Sequence, residues 1–185
     1  AHPAAPAPAS AVLSGVITKT GIYGVLVLST TVFLHDKQWG MLLAVLGAVT
    51  MVLGAVLAVL SVDLKRTLAC SSISQIGFIL VGTAMLCLLG EHNALAVDGT
   101  ILHILNHSLI KMVLFPAAGI IHLTTHSFDL NDIRGFGRGK PLLALVMGMP
   151  MLSLAGAPGL NGYVSKTLLH ESIVEYIHLA GEGAA

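Results

Sequence analysis

The chain has 185 residues, 55% of them hydrophobic and only 10% charged, with nine Lys+Arg balanced by nine Asp+Glu. Soluble domains carry charge on about a quarter of their residues, so this composition excludes a water-soluble enzyme, and the zero net charge leaves no basic face for nucleic acid. With a mean hydropathy of +0.89, it reads as an integral membrane protein.

The chain opens A-H-P-A-A-P-A-P-A-S, with no methionine and none of the parts of a signal peptide. This suggests a fragment of a longer protein. A spanning helix needs about 20 mostly apolar residues. Residues 11–34, 41–62, 67–89 and 100–122 meet that need. A last apolar region, 141–180, is interrupted by A-G-A-P-G-L-N-G at 155–162. Proline among three glycines does not continue a regular helix. Hydropathy leaves open two short helices or one discontinuous span. Either way, the broken backbone must be buried in protein or line a cavity. The expected fold is all-α, a polytopic transmembrane bundle of about five passes. Residues 1–185 are expected to form one transmembrane domain.

Loop charges orient this bundle. If the segments alternate, 35–39 and 90–99 share one side, and loops 63–66 and 123–140 share the other. The second side holds Lys65, Arg66, Arg134, Arg138 and Lys140, against Lys37 on the first. The positive-inside rule places the richer side in the cytoplasm, with Trp39 at the outer interface. Gly47, Gly54 and Ala58 are spaced for close helix packing. Cys70 and Cys87, roughly 25 Å apart on one helix, are beyond disulfide reach.

Ionisable residues inside the apolar segments carry the chemistry. They are Lys19 in the first, His103, His107 and Lys111 in the fourth, and Lys166, followed by His170, after the break. An intramembrane lysine costs about 2.5–3.5 kcal/mol on insertion scales, so such residues normally face the bundle and mark function. Snorkelling is an alternative for Lys19. Lys111, about 16 Å from either end of its segment, is too deep for it. Residues 103, 107 and 111 advance by about 6 Å and 40° per step, forming one stripe. Histidine titrates near neutrality, so a His–His–Lys stripe in a dry segment suits a proton relay.

Zinc is the rival reading, since histidines at i and i+4 form a ligand pair. Position 111 then offers a competing cation where a third ligand belongs. His122 and His126 repeat the spacing where a solvated loop pair is expected. Pro116 removes the amide donor to the Met112 carbonyl, leaving a cation or water site or a simple kink. A helix restarting near Asn161 would point its positive end toward Lys166 and disfavour charge there. Broken helices of this kind frame ion sites in transporters.

The runs A-P-A-P-A-S-A-V-L-S-G-V-I-T-K-T-G-I-Y-G, D-L-K-R-T-L-A-C-S-S-I-S-Q-I-G, H-x-x-x-H-x-x-x-K and P-G-L-N-G-Y-V-S-K resemble, in order, the antiporter-like subunits of respiratory complex I. The same fold recurs in multisubunit sodium/proton antiporters and membrane-bound hydrogenases. The resemblance implies that Lys19, His103, His107, Lys111 and Lys166 belong to a proton relay along a hydrated axis near the midplane. It also implies that the last pass is discontinuous. Gln75 stands where some members carry histidine, and no proton role is assigned to it.

Family members have a glutamate and a further lysine on preceding helices, which this stretch lacks, and none of the first four segments contains a carboxylate. The resemblance therefore implies missing N-terminal helices and charge partners outside the 185 residues. It also implies other membrane subunits as partners, a prokaryotic cytoplasmic membrane, no cofactor or metal held by this chain, and any redox chemistry in partner subunits. A sodium/proton antiporter subunit is the alternative of the same class, and an intramembrane metal or haem protein that of another.

Overall fold

The structure is a computed structural model and describes residues 6–182, so the first half of the Ala/Pro-rich opening lies outside it. The helices are α1 (Ala7–Thr31), α2 (Lys37–Val59), α3 (Leu64–Leu88), α4 (Ala94–Thr125), α5 (Pro141–Ala155) and α6 (Asn161–Glu182). The first four are long and apolar enough to cross a membrane. At 15 residues α5 reaches only about 22 Å, short of the roughly 30 Å hydrocarbon core.

Hydropathy placed the helix starts late because polar caps lie outside an apolar window. Asp36 Oδ1 accepts from the Gln38 and Trp39 amides at 2.9 and 3.2 Å, so α2 begins at Lys37 rather than at 41. Asp63 Oδ1 accepts from Arg66 N at 2.7 Å, and α3 begins at Leu64 rather than at 67. Each cap satisfies amides that the first turn would otherwise orphan. Helix α1 starts at Ala7 instead of 11, with a proline in its first turn, where the missing amide costs nothing. Helix α4 starts at Ala94 instead of 100 and therefore contains Asp98, which is exposed. The expectation that the fourth span lacks a carboxylate is corrected to that extent.

Helix α4 is the axis of the bundle. Opposite α3, Ser71 meets Lys111, Phe78 meets His103, and Gly82 meets Thr100, so the two helices run antiparallel in fixed register. Opposite α1, Ala7 meets Gly119, Gly15 meets Met112, and Lys19 meets His107. On the remaining side, Met149 and Pro150 lie with Leu109 and Val113, Asn161 meets Asn106, Ser165 meets His103, and Leu168 meets Gly99. Helices α5 and α6 thus follow one another along α4. They form one interrupted pass rather than a hairpin.

Helix α2 packs through its glycines against α3. A Cβ on Gly47 would stand 2.9 Å from Val81 N, and one on Gly54 would collide with the backbone of Ser74. Two apolar clusters lie at opposite ends of the bundle. One gathers Leu64, Leu68, Ile110, Leu114, Phe115 and Ile121. The other gathers Leu43, Ala84, Met85, Leu86, Leu89 and Ala96. Lys19, His103 and His107 lie between them, and Lys111 lies against Leu68 and Phe115 of the first.

The two loop sets segregate as expected. Leu64 N donates to Phe128 O and Leu130 N to Val62 O, both at 2.9 Å, which ties the 63–66 turn to the 123–140 loop. At the other end Gly90 lies beside His35, and Trp39 stacks on Phe33 at 4.5 Å while donating to Ser29 Oγ at 2.9 Å.

Candidate functional site

Lys19, His103, His107 and Lys111 are 8, 3, 1 and 0% exposed, and Lys166 is partly buried. The four-residue spacing on α4 turns all three of its side chains inward, as the stripe requires.

Lys19 is brought inward by a local departure from α-helix. Residues Leu13–Ile17 form a π-helical turn within α1, an irregularity that recurs at functional sites. Just beyond it, Lys19 Nζ folds back to donate to Ser14 O at 2.7 Å, and Thr18 Oγ1 donates to the same oxygen at 3.0 Å. Ser14 is in turn anchored by a 2.7 Å bond between its hydroxyl and that of Ser72 on α3. Lys19 Nζ also lies 2.8 Å from His107 Nδ1. Snorkelling is therefore not what this lysine does.

From His107 the chain of contacts continues toward α6. The His103 and His107 rings are parallel to within 9° with centroids 6.5 Å apart. His103 Nδ1 lies 3.0 Å from Ser165 Oγ. Phe78 bridges to Lys166, with its ring 5.8 Å from that of His103 and 4.9 Å from Lys166 Nζ. Lys111 points the other way along α4, donating to Leu68 O at 2.7 Å and Ser71 Oγ at 2.6 Å. It does not turn to the carbonyl freed by Pro116, and α4 runs through that proline.

The helix break holds Lys166. Helix α5 ends at Gly156 with φ +88°, a conformation that glycine adopts without steric cost. Lys166 Nζ donates to Leu154 O at 2.6 Å. The ammonium therefore meets the negative end of the α5 dipole, which sequence alone did not show beside the positive end of α6. Gly162 N donates to Ser153 Oγ at 3.1 Å, and a Cβ there would collide with the Ser153 carbonyl. Asn106 Nδ2 donates to Asn161 O at 2.8 Å and pins the start of α6 to α4.

Four buried polar atoms in this layer have no protein partner: Gln75 Oε1, Thr100 Oγ1, His103 Nε2 and His107 Nε2. By the α3–α4 register, Gln75 falls at the level of His107. An unsatisfied buried group costs about 1–3 kcal/mol, so such atoms in a polar layer are natural positions for water. Among the described residues, no Asp or Glu is buried, and no three His, Cys, Asp or Glu gather as a metal site requires.

Sequence reasoning missed Ser14, Ser71, Asn106 and Ser165. Asn106 carries a signal, a carboxamide inside an apolar run. Single serines in membrane helices carry none. His122 also departs from expectation. Instead of a solvated loop position, its ring stacks on Phe128 at 4.0 Å and its Nδ1 is buried without a partner. His170 is exposed beside Glu171 at 3.4 Å and takes no part.

The fold is a polytopic helical bundle with lysine and histidine side chains buried inside it. The chain belongs to the NADH:quinone oxidoreductase/Mrp antiporter transmembrane family, which matches residues 1–182. It is 35% identical over 181 residues to hydrogenase-4 component B of Escherichia coli, covering 94% of this chain and 27% of that protein. To an Na(+)/H(+) antiporter subunit of Alkalihalophilus pseudofirmus it is 36% identical over 165 residues, covering 89% and 32%. The structure of an Mrp complex from a Dietzia species contains a chain with a TM-score of 0.83 at 29% identity, covering 92% of this chain and 31% of that one. The chain thus spans about a third of the length of these relatives.

Proposed function

We propose that this chain is the proton-conducting segment of a longer antiporter-like subunit, coupled to redox chemistry in partner subunits. The observation that carries this reading is the 2.8 Å contact between Lys19 Nζ and His107 Nδ1. It joins two helices in the interior and continues through His103 toward the helix break. Protons enter and leave Lys19, His103, His107, Lys111 and Lys166 as neighbouring subunits change charge or conformation. Among the described residues no carboxylate is buried beside the ammonium groups, so occupancy of one site is felt at the next. The balancing carboxylates come from outside this chain, on preceding helices or adjacent subunits.

In this reading the protein sits in a prokaryotic cytoplasmic membrane with loops 63–66 and 123–140 facing the cytoplasm, and it works only within a multisubunit complex. A second reading, a gradient-driven sodium/proton antiporter subunit, is favoured by the likeness to the Alkalihalophilus antiporter protein. The two separate on what drives proton movement in sealed vesicles: an oxidisable substrate or an imposed sodium gradient.

The test of the relay is Lys111→Ala in the full-length subunit within its native complex. Coupled proton uptake by inverted vesicles should be abolished with normal assembly. Unchanged uptake contradicts the relay.

A further inference from the structure

The proton inventory of the two stacked histidines points to a role for a residue outside the set assigned above. A protonated Lys19 has donors and no acceptor. With Nζ at 2.8 Å, His107 Nδ1 must then accept, and the single proton of the neutral ring sits on Nε2. At the other histidine the requirement is reversed. Ser165 Oγ donates to Gly162 O at 3.3 Å. When the hydroxyl proton is on that carbonyl, Ser165 Oγ accepts from His103 Nδ1–H across their 3.0 Å contact. His103 Nε2 is then a bare lone pair.

The two nitrogens without a protein partner are thus complementary, a donor on His107 and an acceptor on His103. Both atoms are buried on parallel rings one helical turn apart, and neither bonds the other directly.

We propose that Ser165 is a positioning residue that fixes the tautomer of His103, giving the pair one hydrogen-bond polarity from Lys19 toward α6. The proposal rests on the relay reading. A water bridging the two Nε2 atoms accepts from His107 and donates to His103. In the transfer, His107 Nδ1 takes a proton from Lys19, Nε2 releases its own to the water, and the water passes one to His103 Nε2. Lys19 ends neutral, His107 neutral as the other tautomer, and His103 as an imidazolium whose Nδ1–H stays on Ser165. Ser165 itself exchanges no proton. Without it, Nδ1–H has no acceptor in this wall, and the Nε2–H tautomer opposes a second donor to that of His107.

The geometry explains why the hydroxyl is held so firmly. Ser165 is 0% exposed. It lies one residue before Lys166 and one turn into α6, whose start is fixed by the Asn106–Asn161 and Gly162–Ser153 contacts. The helix break therefore sets where this hydroxyl stands, and through it which nitrogen of His103 is open to a proton.

The experiment compares Ser165→Ala, Ser165→Thr, His103→Gln and the double variant His103→Gln/Ser165→Ala in the full-length subunit within its native complex. Proton uptake by inverted vesicles is measured across pH at equal amounts of assembled complex. Ser165→Ala should lower uptake by about ten-fold and change its pH profile, with Thr restoring it to within about two-fold. The double variant should be no worse than His103→Gln, because the serine acts through that ring. Wild-type uptake and pH profile in Ser165→Ala, or an additive loss in the double variant, overturns the proposal. If His103→Gln abolishes uptake while Ser165→Ala is normal, the relay stands and only the positioning role falls. Wild-type uptake in both His103→Gln and Lys111→Ala removes the relay itself.

Discussion

Lys19 and Lys111 are both buried lysines whose ammonium groups are met by backbone carbonyls and serine or histidine side chains. Carbonyl and hydroxyl oxygens satisfy a cation without neutralising it, so the charge stays responsive to its surroundings, unlike one locked to a carboxylate. Replacing Lys19 by methionine keeps the stem volume and removes the donor to His107. Uptake should fall by at least about ten-fold, with the complex assembling normally, as blue-native gels of the membranes would show. Wild-type transport in Lys19→Met would mean that the 2.8 Å contact is structural only. At this scale the sequence was informative wherever a residue type is improbable in hydrocarbon. Lysine and histidine at positions 19, 103, 107, 111 and 166 stand out by their insertion cost. The serines that orient them do not, because a hydroxyl can return its proton to its own helix and is cheap anywhere in a span.

At the level of elements, two irregularities do the positioning. The break between α5 and α6 is legible because Pro158 and the glycines around it cannot extend a helix. Its consequence, a helix C-terminus aimed at Lys166, is not legible, since it depends on how the chain turns at Gly156. The π turn Leu13–Ile17 is invisible in sequence. Apolar and small residues are compatible with either winding, and packing of Gly15 against Met112 is long-range. The junction offers a direct test. Gly162→Ala places a methyl against the Ser153 carbonyl, and overpacking of that kind costs on the order of 1–3 kcal/mol. Thermal unfolding of the purified complex should shift downward and transport should fall with it, through displacement of Ser165 and Lys166. Wild-type values of both would place the junction elsewhere.

The whole molecule arranges these parts as a polar layer between two apolar ends. On α4 the layer from His103 to Lys111 is about 12 Å thick, closed toward one face by the Leu68–Phe115 cluster and toward the other by the Leu86–Ala96 cluster. In the proposed relay, protons reach this layer from its sides, where the described residues bury no carboxylate. Helix α2 exposes most of its apolar surface, as a helix facing lipid or another membrane helix does. The antiparallel order of the spans was readable from hydropathy and loop charge. The central place of α4 was not, because polar residues on one stripe show that a helix has an inner face but not which helices line it. The most direct test of the account is proton uptake by sealed inverted vesicles carrying His107→Gln in the intact complex. The account predicts that uptake is lost while assembled complex stays at its normal level; uptake at the wild-type rate would contradict it.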